Sequence, residues 1–178
     1  MRFLLLLVLV LVFTVGQAQQ YVSTESYIRF YSDGVVEDIE AVNQKGKSVI
    51  DISSGEMAFS IPIDAFQFEK ELMQEHFNEN YLESDKYPKS TFKGVIENFA
   101  AKEGSQRVTA IGELTIHGVS RDIVAEGSII SDANEVTIES VFTVRLEDYK
   151  IKIPKAVFYN IAEEVEVTIK FTYAPYKK

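Results

Sequence analysis

Alternation of apolar and polar residues runs through most of this chain and predicts β-strands. The most regular segment ends the chain, where apolar side chains fill every second position from Val165 to Tyr173. Similar segments precede it, most of them separated by short turns rich in Gly, Ser, Asn and Asp. Eight or nine strands joined mainly by hairpin turns indicate an antiparallel sandwich or an up-and-down barrel. The predicted strands are residues 21–31, 35–42, 48–52, 56–63, 91–99, 106–116, 119–130, 135–147 and 164–173.

One stretch, at about residues 66–79, breaks the alternation and predicts a helix. Three apolar residues and one histidine recur there at the spacing of one helix face: Leu72, Met73, His76 and Phe77. Asp64 is a candidate N-cap, and Pro88 prevents any continuation of the helix. A single amphipathic helix in an otherwise all-strand chain has to pack on the sheet or close its open end. We therefore expect an all-β, antiparallel barrel of about eight strands that this helix closes or covers.

The first 18 residues have the pattern of a secretory signal peptide. A single charge at Arg2 precedes an apolar run over 3–15, and small residues at Gly16 and Ala18 stand before the expected cleavage point. The alternative is a membrane anchor, but a helix that spans a bilayer needs roughly 20 apolar residues, more than this run supplies. We therefore expect cleavage after Ala18, no stable membrane anchor, a secreted or periplasmic location, and one domain over 19–178.

Composition narrows the class of partner. The chain has no cysteine, so its stability has to come from core packing and hydrogen bonds rather than from disulfides. The formal net charge is −9, and an acidic surface disfavours nucleic acids and anionic membrane surfaces.

Small residues in the second half of the chain suggest an internal space. If His117 and Gly118 form a two-residue hairpin loop, three facing pairs follow: Val108 with Gly127, Ala110 with Ala125, and Gly112 with Ile123. Small inward residues leave room for a ligand in a barrel of this size. Alternatively, the glycines mark bulges or corners of the sheet, and spacing alone does not decide between the two. The candidate ligand-binding residues are Leu72, Met73, Phe77, Val108, Ala110, Gly112, Leu114, Ile123, Ala125, Gly127 and Phe142.

No catalytic or metal-binding pattern stands out in the sequence. The two histidines, His76 and His117, lack the close ligand spacing of a zinc site. Neither a nucleophile elbow nor a glycine-rich phosphate loop occurs. We therefore expect no catalytic residues, no metal, no cofactor and no enzymatic activity.

Two segments resemble the YceI-like family of lipid- or polyisoprenoid-binding proteins. In 73–94 the matching features are His76, the Tyr87-Pro88 pair and the Thr91-Phe92 pair, and in 112–120 the sequence GELTIHGVS resembles the family's Gly-x-Leu-Thr-x-x-Gly segment. The resemblance covers about residues 21–174. It implies a lipocalin-like antiparallel barrel with a long apolar pocket, in a secreted or periplasmic protein. It also implies binding of an isoprenoid-type lipid without enzymatic activity.

Three functions compete at this point. The first is non-catalytic binding of a long apolar lipid, of isoprenoid type, in the barrel interior and outside the cytoplasm. The second is an exported barrel with a solid core that acts as an interaction or stress-response protein. The third is an enzyme that acts on a lipid substrate, which would need a pair of titratable side chains projecting inward, and the predicted inward positions contain none.

Overall fold

The computed structural model describes residues 20–34, 38–100, 102–132, 135–153 and 162–176. The predicted signal peptide at 1–18 lies outside these ranges. The described strands are β1 (Gln20–Ser32), β2 (Ile39–Asn43), β3 (Lys47–Asp51), β4 (Glu56–Pro62), β5 (Gln67–Phe68), β6 (Lys89–Glu97), β7 (Gly104–Ile116), β8 (Val119–Ser131), β9 (Val136–Arg145) and β10 (Glu164–Pro175). The helical elements are α1 (Glu71–His76), a π-helical turn (Phe77–Tyr81) and two 3₁₀ turns (Ile63–Ala65 and Leu146–Tyr149).

These strands close into an antiparallel barrel. The order is β10-β9-β8-β7-β6-β4-β3-β1, and β10 also pairs with β1 along Tyr21–Tyr31. On its other edge β1 pairs first with β3 and then with β2, so β2 and β3 together occupy one position. The short β5 pairs with β2. The described chain therefore has eight strand positions around the barrel, which confirms the predicted all-β, lipocalin-like architecture.

The β7–β8 hairpin has the predicted register. His117 and Gly118 form its two-residue loop with φ of 51° and 69°, the left-handed values that a type I′ turn requires. The facing pairs are those expected from the sequence: Val108 with Gly127, Ala110 with Ala125, and Gly112 with Ile123.

Glycines in this region allow neighbouring backbones to approach closely. Gly112 faces Gly94 of β6, and a Cβ atom on Gly112 would lie 2.5 Å from the Cα of Gly94. A Cβ atom on Gly127 would lie 2.6 Å from the carbonyl oxygen of Glu139 on β9. These contacts favour the second reading of the glycines, as places where the sheet coils, since the missing side chains would meet adjacent strands.

The helix is shorter and begins later than the sequence pattern predicts. It starts at Glu71 after Lys70, and Asp64 lies in a 3₁₀ turn instead of capping it. The reason is that Gln67 and Phe68 stay extended and pair with β2. The expectation that Leu72 shares the inward face is wrong, because its side chain is 55% exposed. The helical conformation then continues through the π-helical turn to Tyr81.

The barrel interior is mainly apolar, and a hydrogen-bonded pair of hydroxyl groups is buried within it. Phe171 and Tyr173 of β10 have no exposed surface. The hydroxyl of Tyr173 lies 2.7 Å from Ser48 Oγ, and Ser48 Oγ in turn donates to the carbonyl oxygen of Ala58 at 2.9 Å. Within the described ranges, no helix is long and apolar enough to cross a membrane.

Candidate ligand-binding site

A cavity of about 150 Å³ lies inside the barrel, next to the helical segment. We call it the main cavity, and we call residues 71–81, which comprise α1 and the π-helical turn, the cap. The cap contributes Met73, His76, Phe77 and Tyr81 to the lining. Inward side chains of the strands form most of the remaining wall, among them Ile28, Phe30, Phe59, Ile61, Leu114, Phe142, Val144, Val165, Val167 and Ile169.

An aromatic cluster fixes the cap to the barrel wall. It consists of Phe30, Phe66, Phe68 and Phe77. The ring of Phe77 lies 5.3 Å from that of Phe30, 5.5 Å from that of Phe66 and 5.0 Å from that of Phe68, measured between centroids. Stacked and edge-to-face rings at such distances attract each other beyond simple burial. Because α1 itself has no buried residue, these rings are the main apolar attachment of the cap.

Four polar side chains are among the described residues that line the main cavity. Ser32 Oγ accepts a hydrogen bond from the backbone N–H of Ala162 at 3.0 Å, and Ser90 Oγ donates to the carbonyl oxygen of Thr115 at 2.9 Å. The other two, His76 and Tyr81, both belong to the cap and form no hydrogen bond with a described residue. Burial raises the pKa of Tyr81 above its ordinary value, so its hydroxyl remains a neutral donor.

A second, smaller space of about 30 Å³ lies farther along the barrel. We call it the distal cavity. The small-residue hairpin lines it through Val108, Ala110, Ile123, Ala125 and Gly127. Ala110 and Leu114 are four residues apart on β7, which corresponds to about 13 Å along a strand. The hairpin residues therefore lie at a different depth from the cap, although both face the same interior.

The structure divides the sequence-predicted site residues into three groups. Met73, Phe77, Leu114 and Phe142 line the main cavity. Val108, Ala110, Ile123, Ala125, Gly127 and again Phe142 line the distal cavity. Leu72 is exposed, and Gly112, whose missing side chain would meet β6, borders neither cavity.

Sequence reasoning missed most of the main-cavity wall. Phe30, Phe59, Ile61 and Val165 line it, yet the search for small residues passed over such large side chains. The available signal was the inward phase of their own strands, which marks every second residue of a barrel strand as lining.

The volume of the main cavity limits what it holds in this conformation. A dry protein cavity of about 150 Å³ accommodates a benzene-sized molecule, so the space matches roughly one isoprene unit. A longer chain requires side chains to move. Met73 is the adaptable member of the lining, because its unbranched thioether changes conformation readily.

A hydrogen-bonded clasp joins the segment after the cap to the β7–β8 loop. His117 Nε2 lies 2.8 Å from Glu83 Oε2, and His117 Nδ1 lies 3.3 Å from the carbonyl oxygen of Tyr149. The ring of Tyr87 packs edge-on against the imidazole, with 4.5 Å between centroids. In the described ranges, no three His, Asp or Glu side chains are arranged to hold a metal ion.

The comparisons with known proteins agree with this fold. The sequence model of the YceI-like domain matches residues 15–173. A polyisoprenoid binding domain from Saccharophagus degradans, implicated in plant cell wall breakdown, superposes with a TM-score of 0.76 at 16% identity, covering 88% of this chain and 98% of that one. BcnA from Burkholderia cenocepacia gives a TM-score of 0.70 at 16% identity, with 83% and 95% covered.

The YCEI protein of Campylobacter jejuni gives a TM-score of 0.59 at 21% identity, with 83% of this chain and 86% of that one covered. No curated protein matches the chain. At these identities the structural likenesses establish the fold.

Proposed function

The chain belongs to the YceI-like family, and from this we propose that it binds the apolar chain of a lipid, of isoprenoid type, inside its barrel. The binding is non-catalytic and takes place outside the cytoplasm. Similarity to a polyisoprenoid binding domain over 88% of this chain supports the ligand class. The pattern of residues 1–18 supports export.

The apolar main cavity is the observation that carries this proposal. Solid protein interiors leave few voids larger than a water molecule, whereas this barrel retains about 150 Å³ bordered almost entirely by aliphatic and aromatic side chains. Such a space favours an apolar ligand over the alternative of a solid-core interaction protein. It suits a hydrocarbon chain, since both serines in the wall are already hydrogen-bonded to backbone groups: Ser90 Oγ donates to Thr115, and Ser32 Oγ accepts from Ala162.

The polar end of the ligand would meet the cap. His76 and Tyr81 line the cavity without a hydrogen-bond partner among the described residues, so both remain available to a hydroxyl or phosphate at the head of the lipid. They are also the only ionisable side chains in the described lining of the main cavity. No carboxylate stands beside them in that lining, which supports binding rather than acid–base catalysis.

Mass spectrometry of lipid that copurifies with the protein tests the proposal. Val167 faces the main cavity between Phe30 and Phe142, so Val167→Phe fills the space with a ring. Val141→Phe makes the same change on the outer surface, where Val141 is 56% exposed. We expect an apolar lipid in extracts of the wild-type protein and of Val141→Phe, and its loss from Val167→Phe. Absence of any lipid from all three proteins, together with failure to take up added prenols, would refute the proposal.

A further inference from the structure

Among the described residues, three side chains border both cavities. Phe59, Phe142 and Ile169 line the main cavity and the distal cavity alike. They form a partition across the barrel interior, with the cap on one side and the small-residue hairpin on the other. The two spaces are therefore successive parts of one interior, separated by side chains and not by backbone.

Phe142 is the member of the partition that is least restrained. Phe59 is buried, and its ring stacks on Phe92 at 5.3 Å and on Phe171 at 5.9 Å. Ile169 is likewise buried. By contrast, Phe142 stays partly accessible although it points inward, and its ring contacts no other described aromatic ring.

We propose that the distal cavity is the far end of the lipid-chain site and that Phe142 is the gate residue that sets the length of chain the barrel accepts. This inference rests on the proposed function. With Phe142 in the position described, the chain ends at the partition. When the ring turns aside or is removed, the chain reaches Ala110 and Ala125. Small side chains at these two positions make room for the end of a hydrocarbon, and Phe142 thereby determines chain-length specificity.

Equilibrium binding of tritiated prenols to the delipidated full chain tests this assignment. Geraniol, farnesol and geranylgeraniol lengthen by one isoprene unit each. Each additional buried methylene strengthens binding about fourfold, so two carbons reaching the distal cavity give about 15-fold. We expect Phe142→Ala to raise the affinity for geranylgeraniol relative to farnesol by about 15-fold. Val141→Ala, on the outer face of the same strand, should leave this ratio unchanged.

A second substitution shows whether the gain comes from the distal cavity. Ala125→Val narrows that cavity, so adding it to Phe142→Ala should abolish the preference for the longer prenol. If Phe142→Ala is poorly folded by circular dichroism, Phe142→Leu should give a smaller gain with the same response to Ala125→Val. An unchanged ratio in the Phe142 variants, or a gain that survives Ala125→Val, would overturn the assignment while prenol binding by the wild type still supports the proposed function. Absence of prenol binding by every variant would overturn both.

Discussion

The ring of Phe77 stacks on the ring of Phe30, with centroids 5.3 Å apart and planes inclined by only 12°. Phe77 directly follows α1 and begins the π-helical turn, and Phe30 projects inward from β1, so this contact joins the cap to the barrel wall. Both rings also line the main cavity. The same contact therefore holds the cap in place and forms part of the surface that a ligand would touch.

Phe77→Ala should loosen the cap. Replacing a buried Phe by Ala costs about 3–5 kcal/mol, and we expect the lower end because Phe77 keeps 9% of its surface exposed. Hydrogen exchange of the amides in 71–81 should accelerate more than exchange in β7 and β8. Leu72→Ala, five residues earlier in the cap and at an exposed position, should change the free energy of unfolding by no more than about 0.5 kcal/mol. Equal effects of the two substitutions would contradict the role of the aromatic cluster.

Gly112→Ala should destabilise the barrel even though alanine suits a strand better than glycine. The added Cβ would lie 2.5 Å from the Cα of Gly94, and backbone atoms move aside less readily than side chains. Overpacking typically costs about 1–3 kcal/mol, and we expect the upper part of that range. Ile111→Ala, at a neighbouring outward position, is the control for denaturant unfolding. A neutral Gly112→Ala would mean that β6 and β7 can separate freely.

Tyr173→Phe tests the buried hydroxyl pair through the pH dependence of the free energy of unfolding. Removing the bond to Ser48 should cost about 1 kcal/mol at neutral pH. Burial raises the pKa of Tyr173 well above its ordinary value of 10.0, so the folded protein keeps a proton that the unfolded chain loses above about pH 10. The unfolded state then binds fewer protons, and the free energy of unfolding falls as pH rises. The Phe variant should show a shallower decline between about pH 10 and 11; an identical slope would contradict the assignment.

Several features of the fold could be predicted from sequence because they depend on local chemistry. His117-Gly118 sets the β7–β8 register, since a two-residue loop leaves only one pairing for the flanking strands. Strand alternation identifies which residues face inward. The start of α1 could not be predicted, because Gln67 and Phe68 follow the pairing partner that β2 offers rather than the helical spacing nearby.

The predicted site combined residues of two separate cavities, because the sequence pattern does not give a residue's position along the barrel axis. The alternation of apolar and polar residues indicates that Ala125 and Leu114 both face inward, but it does not indicate how far each lies from the cap. That distance follows from strand stagger around the barrel, a non-local property. The partition at Phe142 was hidden for the same reason, because its neighbours Phe59 and Ile169 come from distant parts of the chain.

His117→Asn should distinguish the two roles of His117, one in the hydrogen-bonded clasp and one in the β7–β8 turn. Asn-Gly is a favoured type I′ sequence, so the β7–β8 hairpin should persist. The variant loses the contacts with Glu83 and Tyr149. Because Glu83 is 42% exposed in its side chain, we expect a net cost of only about 1 kcal/mol. Amide exchange should accelerate in 82–88 and not in β7. Thr115→Ala, which removes an exposed hydroxyl pair at the same hairpin end, should leave exchange in 82–88 unaltered.

The location of the bound chain is the central claim, and intermolecular nuclear Overhauser effects measure it most directly. Protein with labelled Ile, Leu and Val methyl groups, in complex with geranylgeraniol, offers two matched sets of reporters. Ile61, Leu114 and Val165 line the main cavity, whereas Val95, Ile111 and Val124 form an exposed apolar row on the outside of β6, β7 and β8. We predict contacts from the prenyl protons to the first set and none to the second. Contacts confined to the outer row would contradict binding inside the barrel.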